Sequence, residues 1–252
     1  MIFRQLFEPA SSTYTYLLGC PKTRQAILID TVLETFERDR GVLAELNLTL
    51  AFTLETHVHA DHLTSARKFK ALAGSRVAGP ALAKLACYDI GIEHRKPLTV
   101  GTIEVIPLFT PGHTDHHYSY LVDSGTHKMV FTGDALLIDG CGRTDFQSGN
   151  AAALYKGIHE NIFSLPDETL VYPGHDYNGR WVSSVAQEKA RNPRLGGGKT
   201  LAQFVEIMNN LNLPKPRMMD FAVPGNETCG QCPPNVPPEL KAPCEIEEKR
   251  QG

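Results

Sequence analysis

Short apolar or alternating runs, separated by Pro, Ser and Gly, open the chain at residues 2–7, 14–18 and 26–30. Period-two runs bounded by turn residues predict three strands. Residues 33–47 suit an amphipathic helix, with Leu33, Phe36, Val42, Leu43 and Leu46 on its buried side and Gly41 weakening it. A strand follows at 50–55. Leu63, Ala66, Phe69, Lys70 and Leu72 then approximate helical spacing, which predicts a helix beginning near Asp61 and His62. Residues 76–79 read as a strand and 80–87 as a short helix. Beyond Gly101, runs at 103–108, 118–122 and 129–131 predict strands. A helix at about 150–163, a strand at 169–172 and helices near 180–190 and 199–210 complete the body. Strands followed by a helix in each half suggest two stacked sheets with helices outside, an α+β arrangement. From Leu213 onward prolines recur at 214, 216, 224, 233, 234, 237, 238 and 243, which predicts an extended tail lying on the body with a charged, disordered end.

A length of 252 residues admits one large or two small domains. An apolar fraction of 42% and a charged fraction of 21% belong to an ordinary globular chain. A net charge of −3 offers no field for nucleic acid or an anionic membrane, and no apolar stretch is long enough to span a bilayer. Met1-Ile2-Phe3-Arg4-Gln5 has neither a long apolar signal segment nor the character of a transit peptide. Cytoplasm is the simplest address, with a mature mitochondrial form also compatible. The six cysteines, in a chain without a secretory signal, are expected to be reduced thiols. Cys229-Gly-Gln-Cys232, with Cys244 beyond it, lacks the fourth ligand of a closed zinc site and the strand–turn–helix setting of a redox motif, so it is expected to be structurally incidental.

The chemistry gathers at Thr56-His57-Val58-His59-Ala60-Asp61-His62, directly after the strand at 50–55. Residues two apart in an extended chain point the same way, so His57 and His59 can face one ion. Three later loops, each following a strand, carry further candidates: Thr110 to His116 with His113, Thr132-Gly133-Asp134, and Tyr172-Pro173-Gly174-His175-Asp176. Imidazole and carboxylate are common ligands of zinc and iron, and four such strand ends on one rim predict a metal site. His94, His127 and His159 lack such company and read as ordinary surface residues. Ligand chemistry alone suits two metals, with His57, His59 and His113 on one side, Asp61, His62 and His175 on the other, and Asp134 between.

This motif set, His57-x-His59-x-Asp61-His62 followed by His113, Asp134 and His175, resembles the metallo-β-lactamase superfamily over residues 1 to about 213. The resemblance implies an αββα sandwich with the metal at one edge of both sheets, residues 1–213 as the catalytic domain and 214–252 as a Pro/Cys-rich extension. Gly140-Cys141-Gly142-Arg143-Thr144-Asp145-Phe146-Gln147, Asn192-Pro193-Arg194-Leu195, the stretch 210–216 and Asp220-Phe221-Ala222-Val223-Pro224 resemble the persulfide dioxygenases within it. That likeness implies one Fe(II) per chain held by His57, His113 and Asp134, with His59, Asp61, His62 and His175 orienting ligands and waters. It further implies glutathione persulfide and O2 as reactants, with sulfite and glutathione as products. Tyr177 and Arg194 are implied as substrate contacts, while Arg143 and Asp145 more simply brace the metal-side loop as an ion pair. Nucleic acid and membrane are not expected as partners, and a homodimer stays open.

Two rivals remain at this level. The related glyoxalase II thioesterases share the metal motif and the Gly-Cys-Gly-Arg loop but would use two metals and no oxygen, with a longer helical C-terminal region than this chain offers. A non-catalytic sulfur-carrier or redox module would make the Cys-rich tail its working part. The flavo-diiron proteins are disfavoured because that family usually has a glutamate in place of His59.

Overall fold

The computed structural model describes residues 1–234 together with Pro238 and Cys244. Strands β1 (Ile2–Glu8), β2 (Thr13–Gly19), β3 (Gln25–Ile29), β4 (Thr49–Leu54), β5 (Arg76–Pro80) and β6 (Ile90–Ile92) lie side by side in that order in one six-stranded sheet. The first three form an antiparallel meander, whereas β3 to β6 run parallel. Parallel neighbours need a crossover, and α1 (Phe36–Glu45) and α2 (Ala66–Ala73) supply two of them. The second sheet has the order β12-β11-β10-β9-β8-β7. Its strands are β7 (Leu98–Val100), β8 (Ile103–Phe109), β9 (Tyr118–Asp123), β10 (Lys128–Gly133), β11 (Leu170–Pro173) and β12 (Ser183–Ser184). Helices α3 (Ala151–Asn161), α4 (Val185–Arg191) and α5 (Leu201–Asn209) accompany it, and α6 (Met219–Asn226) lies in the tail.

Burial on both faces of each sheet explains the nearly unbroken apolar runs. Tyr14, Tyr16, Leu18, Ile27, Ile29, Phe52 and Leu54 of the first sheet meet Val105, Tyr118, Tyr120, Val122 and Phe131 of the second in one buried cluster. On the outer side of the first sheet, Leu17, Ala26 and Leu28 pack under Phe36 and Leu43 of α1 and Phe69 of α2. On the outer side of the second, Val130 and Val171 pack under Leu154 and Ile158 of α3 and Phe204 of α5. Burying a side chain such as Phe131 is worth about 1.5–3 kcal/mol, so the stacked cores supply most of the drive to this αββα arrangement. The chain is thus the α+β sandwich that its pattern predicts.

Five local expectations need correction. Residues 80–87 form no α-helix, only a 3₁₀ turn at Ala81–Ala83, which ends where Lys84 takes a left-handed φ of 54°. β6, β7 and β12 span two or three residues each, too few for a period to show. Helix α2 starts at Ala66 rather than near Asp61, because residues 57–64 spend their polar groups on buried partners instead of a helical ladder. Helix α4 starts only at Val185, since Ser183 and Ser184 pair with β11 and the Ser184 hydroxyl then caps the helix at Gln187 N. The tail is not extended throughout, because α6 forms with Pro224 inside it and packs Phe221 against Leu33 and Leu63. The expected disorder of the charged end falls outside the described residues, and the division into 1–213 and 214–252 stays a proposal.

The cysteine expectation also fails. Cys87 pairs with Cys229 and Cys232 with Cys244, so the two cysteines of the CxxC are each bridged to a different partner, while Cys20 and Cys141 stay free and buried. The tail folds back over α2 and brings Cys229 to Cys87 across 142 residues, a proximity that spacing along the chain does not reveal. No helix among the described residues is long and apolar enough to cross a membrane. A bridge closing so long a loop constrains the unfolded chain, and Cys87→Ser should lower unfolding free energy by about 2–4 kcal/mol. Urea denaturation measures this, and an unshifted midpoint would show that the bridge adds nothing.

Candidate metal centre

Each candidate side chain hangs from the end of a strand at one edge of the sandwich. The His57 to His62 stretch follows β4, Asp134 follows β10, His175 follows β11, and His113 lies in the turn between β8 and β9. The two sheets are stitched together at this edge. Tyr118 N donates to Thr56 O at 2.9 Å, the Tyr120 hydroxyl to Glu55 O at 2.6 Å, and Tyr14 N to Gly174 O at 2.8 Å. Hydrogen bonds to backbone carbonyls across the two sheets therefore fix the spacing of groups that are far apart in sequence.

His57, His113 and Asp134 each offer a ligand atom within 4.8 Å of the others. The bonds behind them orient those atoms. Thr56 Oγ1 lies 2.9 Å from Asp30 Oδ2 and 2.8 Å from His57 Nδ1. The hydroxyl has one proton, which the carboxylate takes, so Thr56 must accept from His57 Nδ1–H. Nε2 of His57 is left with its lone pair. Burial, reinforced by the neighbouring His59 and His113, holds the His57 pKa well below its ordinary value and keeps the ring neutral. His113 Nδ1 donates to Arg143 O at 2.8 Å, and its Nε2 lies 3.6 Å from Asp134 Oδ2. Asp134 Oδ1 accepts from His175 Nδ1 at 2.7 Å, leaving Oδ2 for the cluster. Metal-ligating histidines are held in this way by a partner on the second nitrogen. Two imidazoles and a carboxylate whose ligand atoms converge suit a divalent transition metal, so the residues present fit such an ion.

The second set is differently committed. His175 sits between two carboxylates, with Nδ1 on Asp134 and Nε2 2.8 Å from Asp61 Oδ2. Burial opposes charge on His175, but Asp134 and Asp61 outweigh it and raise its pKa well above the ordinary value. Asp61 Oδ2 also accepts from Thr13 Oγ1 at 3.2 Å and from His62 Nδ1 at 3.0 Å. Burial works against ionisation of Asp61 too, yet His62 and His175 hold its pKa well below the usual carboxylate range. His59 Nε2 faces Asp30 Oδ1 at 3.2 Å and Glu55 Oε2 at 3.4 Å. Its burial is likewise outweighed by these carboxylates, which raise its pKa well above the ordinary value. His59 Nδ1 and His62 Nε2 are buried without a hydrogen-bond partner. His59, Asp61 and His62 also form a group with ligand atoms within 4.8 Å of one another.

The remaining candidates surround this cluster. The Arg143 guanidinium forks onto Asp145 at 2.7 and 2.8 Å and reaches Pro214 O at 2.6 Å, while its own carbonyl holds His113. The exposed Tyr177 ring stacks on His175 at 6.0 Å. Arg194 Nη1 donates to Cys141 O at 2.6 Å, next to the loop that carries Arg143. Glycines let the strands approach. A Cβ on Gly133, whose φ is +48°, would come within 2.7 Å of both His117 Nε2 and Thr56 Oγ1, and one on Gly142 within 2.8 Å of His113 Nδ1.

Sequence reasoning passes over Thr13, Asp30, Glu55, His117 and Asn226. His117 is fully buried, stacks on His57 at 5.0 Å and accepts from Asp134 N at 3.2 Å. Asp30, with φ of 51°, accepts Thr56 N at 2.7 Å as well as the Thr56 hydroxyl. A signal for it exists, since Asp30 ends an apolar strand as Asp134 does. Asn226 has no such signal.

Comparison with known proteins agrees with this geometry. The profile of the metallo-beta-lactamase superfamily matches residues 9–175. The mitochondrial persulfide dioxygenase ETHE1 of Homo sapiens is 47% identical over 238 residues, covering 91% of this chain and 89% of its own. The corresponding Bos taurus protein is 46% identical over 244 residues, covering 93% and 91%. The crystal structure of ETHE1 from Myxococcus xanthus superposes with a TM-score of 0.87 at 52% identity, covering 91% of this chain and all of the other.

Thr56→Val should remove the acceptor behind His57 while keeping the side chain's shape. Divalent metal affinity is then expected to fall by about 10- to 100-fold. Chelator competition on wild type and variant checks this, and equal affinities would mean that the Asp30–Thr56–His57 chain does not orient the ring.

Proposed function

The chain belongs to the metallo-β-lactamase superfamily and, within it, to the persulfide dioxygenase family, and from that premise we propose that it oxidises glutathione persulfide with O2 and water to sulfite and glutathione. We assign one Fe(II) per chain to His57, His113 and Asp134. The observation that carries the mononuclear reading is the commitment of His175, whose two nitrogens serve Asp134 and Asp61 at 2.7 and 2.8 Å. With a carboxylate facing each of its nitrogens, His175 is engaged on both sides, and neither nitrogen is turned free toward a second metal. Three anchored donors on one face remain, the arrangement suited to non-haem iron oxygenases.

The reaction balances without another cofactor. Glutathione persulfide, O2 and water become glutathione, sulfite and two protons. The terminal sulfur passes from formally zero to +4, and dioxygen accepts the four electrons released. When bound, iron supplies the redox chemistry and the open positions at which the sulfur and dioxygen meet. The chain's own residues orient and enclose. Asp30 and Thr56 keep His57 in the ligating tautomer, and Arg143 O does the same for His113. His175 keeps one Asp134 oxygen occupied, so that the other faces the cluster. His59, Asp61 and His62 stand beside these ligands, with the His59 ring 4.2 Å from that of His57, and orient reactants by hydrogen bonds. Gln147 Nε2 holds Val58 O at 2.8 Å and draws the 143–149 loop against the histidine stretch.

A glutathionyl substrate carries carboxylates, and we assign Arg194 to one of them and Tyr177 to a contact beside His175. Arg194 uses Nη1 on Cys141 O, and no carboxylate among the described residues pairs with its guanidinium. The rest of the fork stays available for a carboxylate.

Oxygen uptake with glutathione persulfide should run at one O2 per sulfite formed in protein holding close to one iron per chain. A fully active sample with two zinc ions per chain and no oxygen uptake would sink this reading in favour of a thioester hydrolase. Arg194→Ala should raise the KM for the persulfide by about ten- to a hundred-fold, the loss of one charge-assisted contact of about 1.5–3 kcal/mol, and leave iron content intact. An unchanged KM would remove Arg194 from the binding site.

A further inference from the structure

The C-terminal helix α6 ends on a side chain that reaches into the metal-binding stretch. Asn226 is buried and spends its whole amide there. Its Nδ2 donates to His59 O at 2.9 Å and to His62 O at 2.7 Å, and its Oδ1 accepts from Thr64 N at 2.9 Å. One amide thus ties together three backbone groups of the segment that joins β4 to α2. Between those ties lie His59, Asp61 and His62, which the proposed function places beside the iron. The stretch has no helical ladder to hold it, since α2 begins only at Ala66.

The helix that carries Asn226 is seated closely enough for this role. A Cβ on Gly225 would lie 2.4 Å from Leu63 Cδ2, and one on Gly230 1.9 Å from Thr64 O. Arg67 N in the first turn of α2 donates to Cys229 O at 3.0 Å, and Cys229 is bridged to Cys87. The amide is also the one chemistry that fits. Two donors face two carbonyls and one acceptor faces an N–H, so a carboxylate there would set oxygen against oxygen at His59 and His62.

We propose that Asn226 is a positioning residue of the metal centre, holding the backbone of His59, Asp61 and His62 so that their side chains stand in register beside the ligands His57, His113 and Asp134 and the reactants. The inference rests on the reading that this cluster binds a metal. It goes beyond that reading in making the C-terminal segment a working part of the site rather than a cover.

The test uses the full chain stripped of metal and titrated with Co(II), whose visible absorption reports ligand geometry, with chelator competition for affinity. Asn226→Ala and Asn226→Asp are compared with Phe221→Ala, which loosens the packing of α6 but keeps the amide. Both Asn226 variants are expected to bind Co(II) about tenfold more weakly or worse, with a changed absorption band. With iron restored, kcat should fall at least about tenfold while KM for glutathione persulfide stays within about twofold, because the amide touches no substrate. Phe221→Ala should lose stability but keep the wild-type band and affinity. If Asn226→Ala does not fold, Asn226→Asp, of the same size, decides the matter. Wild-type affinity and band in the Asn226 variants, or an equal loss in Phe221→Ala, would overturn the proposal. A wild-type chain that takes up no Co(II) would instead overturn the metal reading beneath it.

Discussion

A buried carboxylate has to be met by donors on every side, and at Asp30 that requirement sets the geometry of the metal edge. Its two oxygens accept Thr56 N, the Thr56 hydroxyl and His59 Nε2. Leaving any of these unpaired would cost about 1–3 kcal/mol or more for a charged group. The chain therefore turns at Asp30 with a left-handed φ of 51° to place the carboxylate under the end of β4. Everything in line with it follows. Thr56 can donate only once, His57 must then donate to Thr56, and the free nitrogen of His57 points where a ligand is needed. The tautomer of His57, a proposed ligand, is decided by a residue 27 positions upstream of it, through one shared hydroxyl.

His175 plays the corresponding part in the other sheet. It separates Asp134 from Asp61, two carboxylates that would otherwise repel, and it does so at the price of its own availability as a ligand. The same arrangement of atoms explains why the acidic groups coexist, and it is the basis on which one metal is proposed rather than two.

The tail gives the sandwich a feature that its two sheets lack. Strand ends project loops whose backbone has no ladder partner, and such segments are usually the most mobile parts of a domain. Here Asn226 supplies the missing partners to His59, His62 and Thr64, and the Cys87–Cys229 bridge keeps α6 against α2. The backbone partners of this stretch thus come from outside the candidate ligand set.

The sequence by itself determined the sandwich and the candidate ligands. Strand period, burial on both faces and the His57 to His62 stretch are local signals, and a strand end that carries imidazole or carboxylate can be read wherever it occurs, as at His113, Asp134 and His175. Asp30 shows the same local signal, though it sits beyond the more obvious motif. What only the tertiary structure decided are the relations between distant segments. The Cys87–Cys229 pairing, the helix around Pro224 and the reach of Asn226 depend on the tail folding back over α2, which no local period encodes. Which carboxylates face His59 and His175 was likewise set by the fold, since Asp30 reaches His59 from the end of β3, and Asp134 and Asp61 reach His175 from the ends of β10 and β4. Periodicity reports which face of an element is buried; it does not report what that face meets.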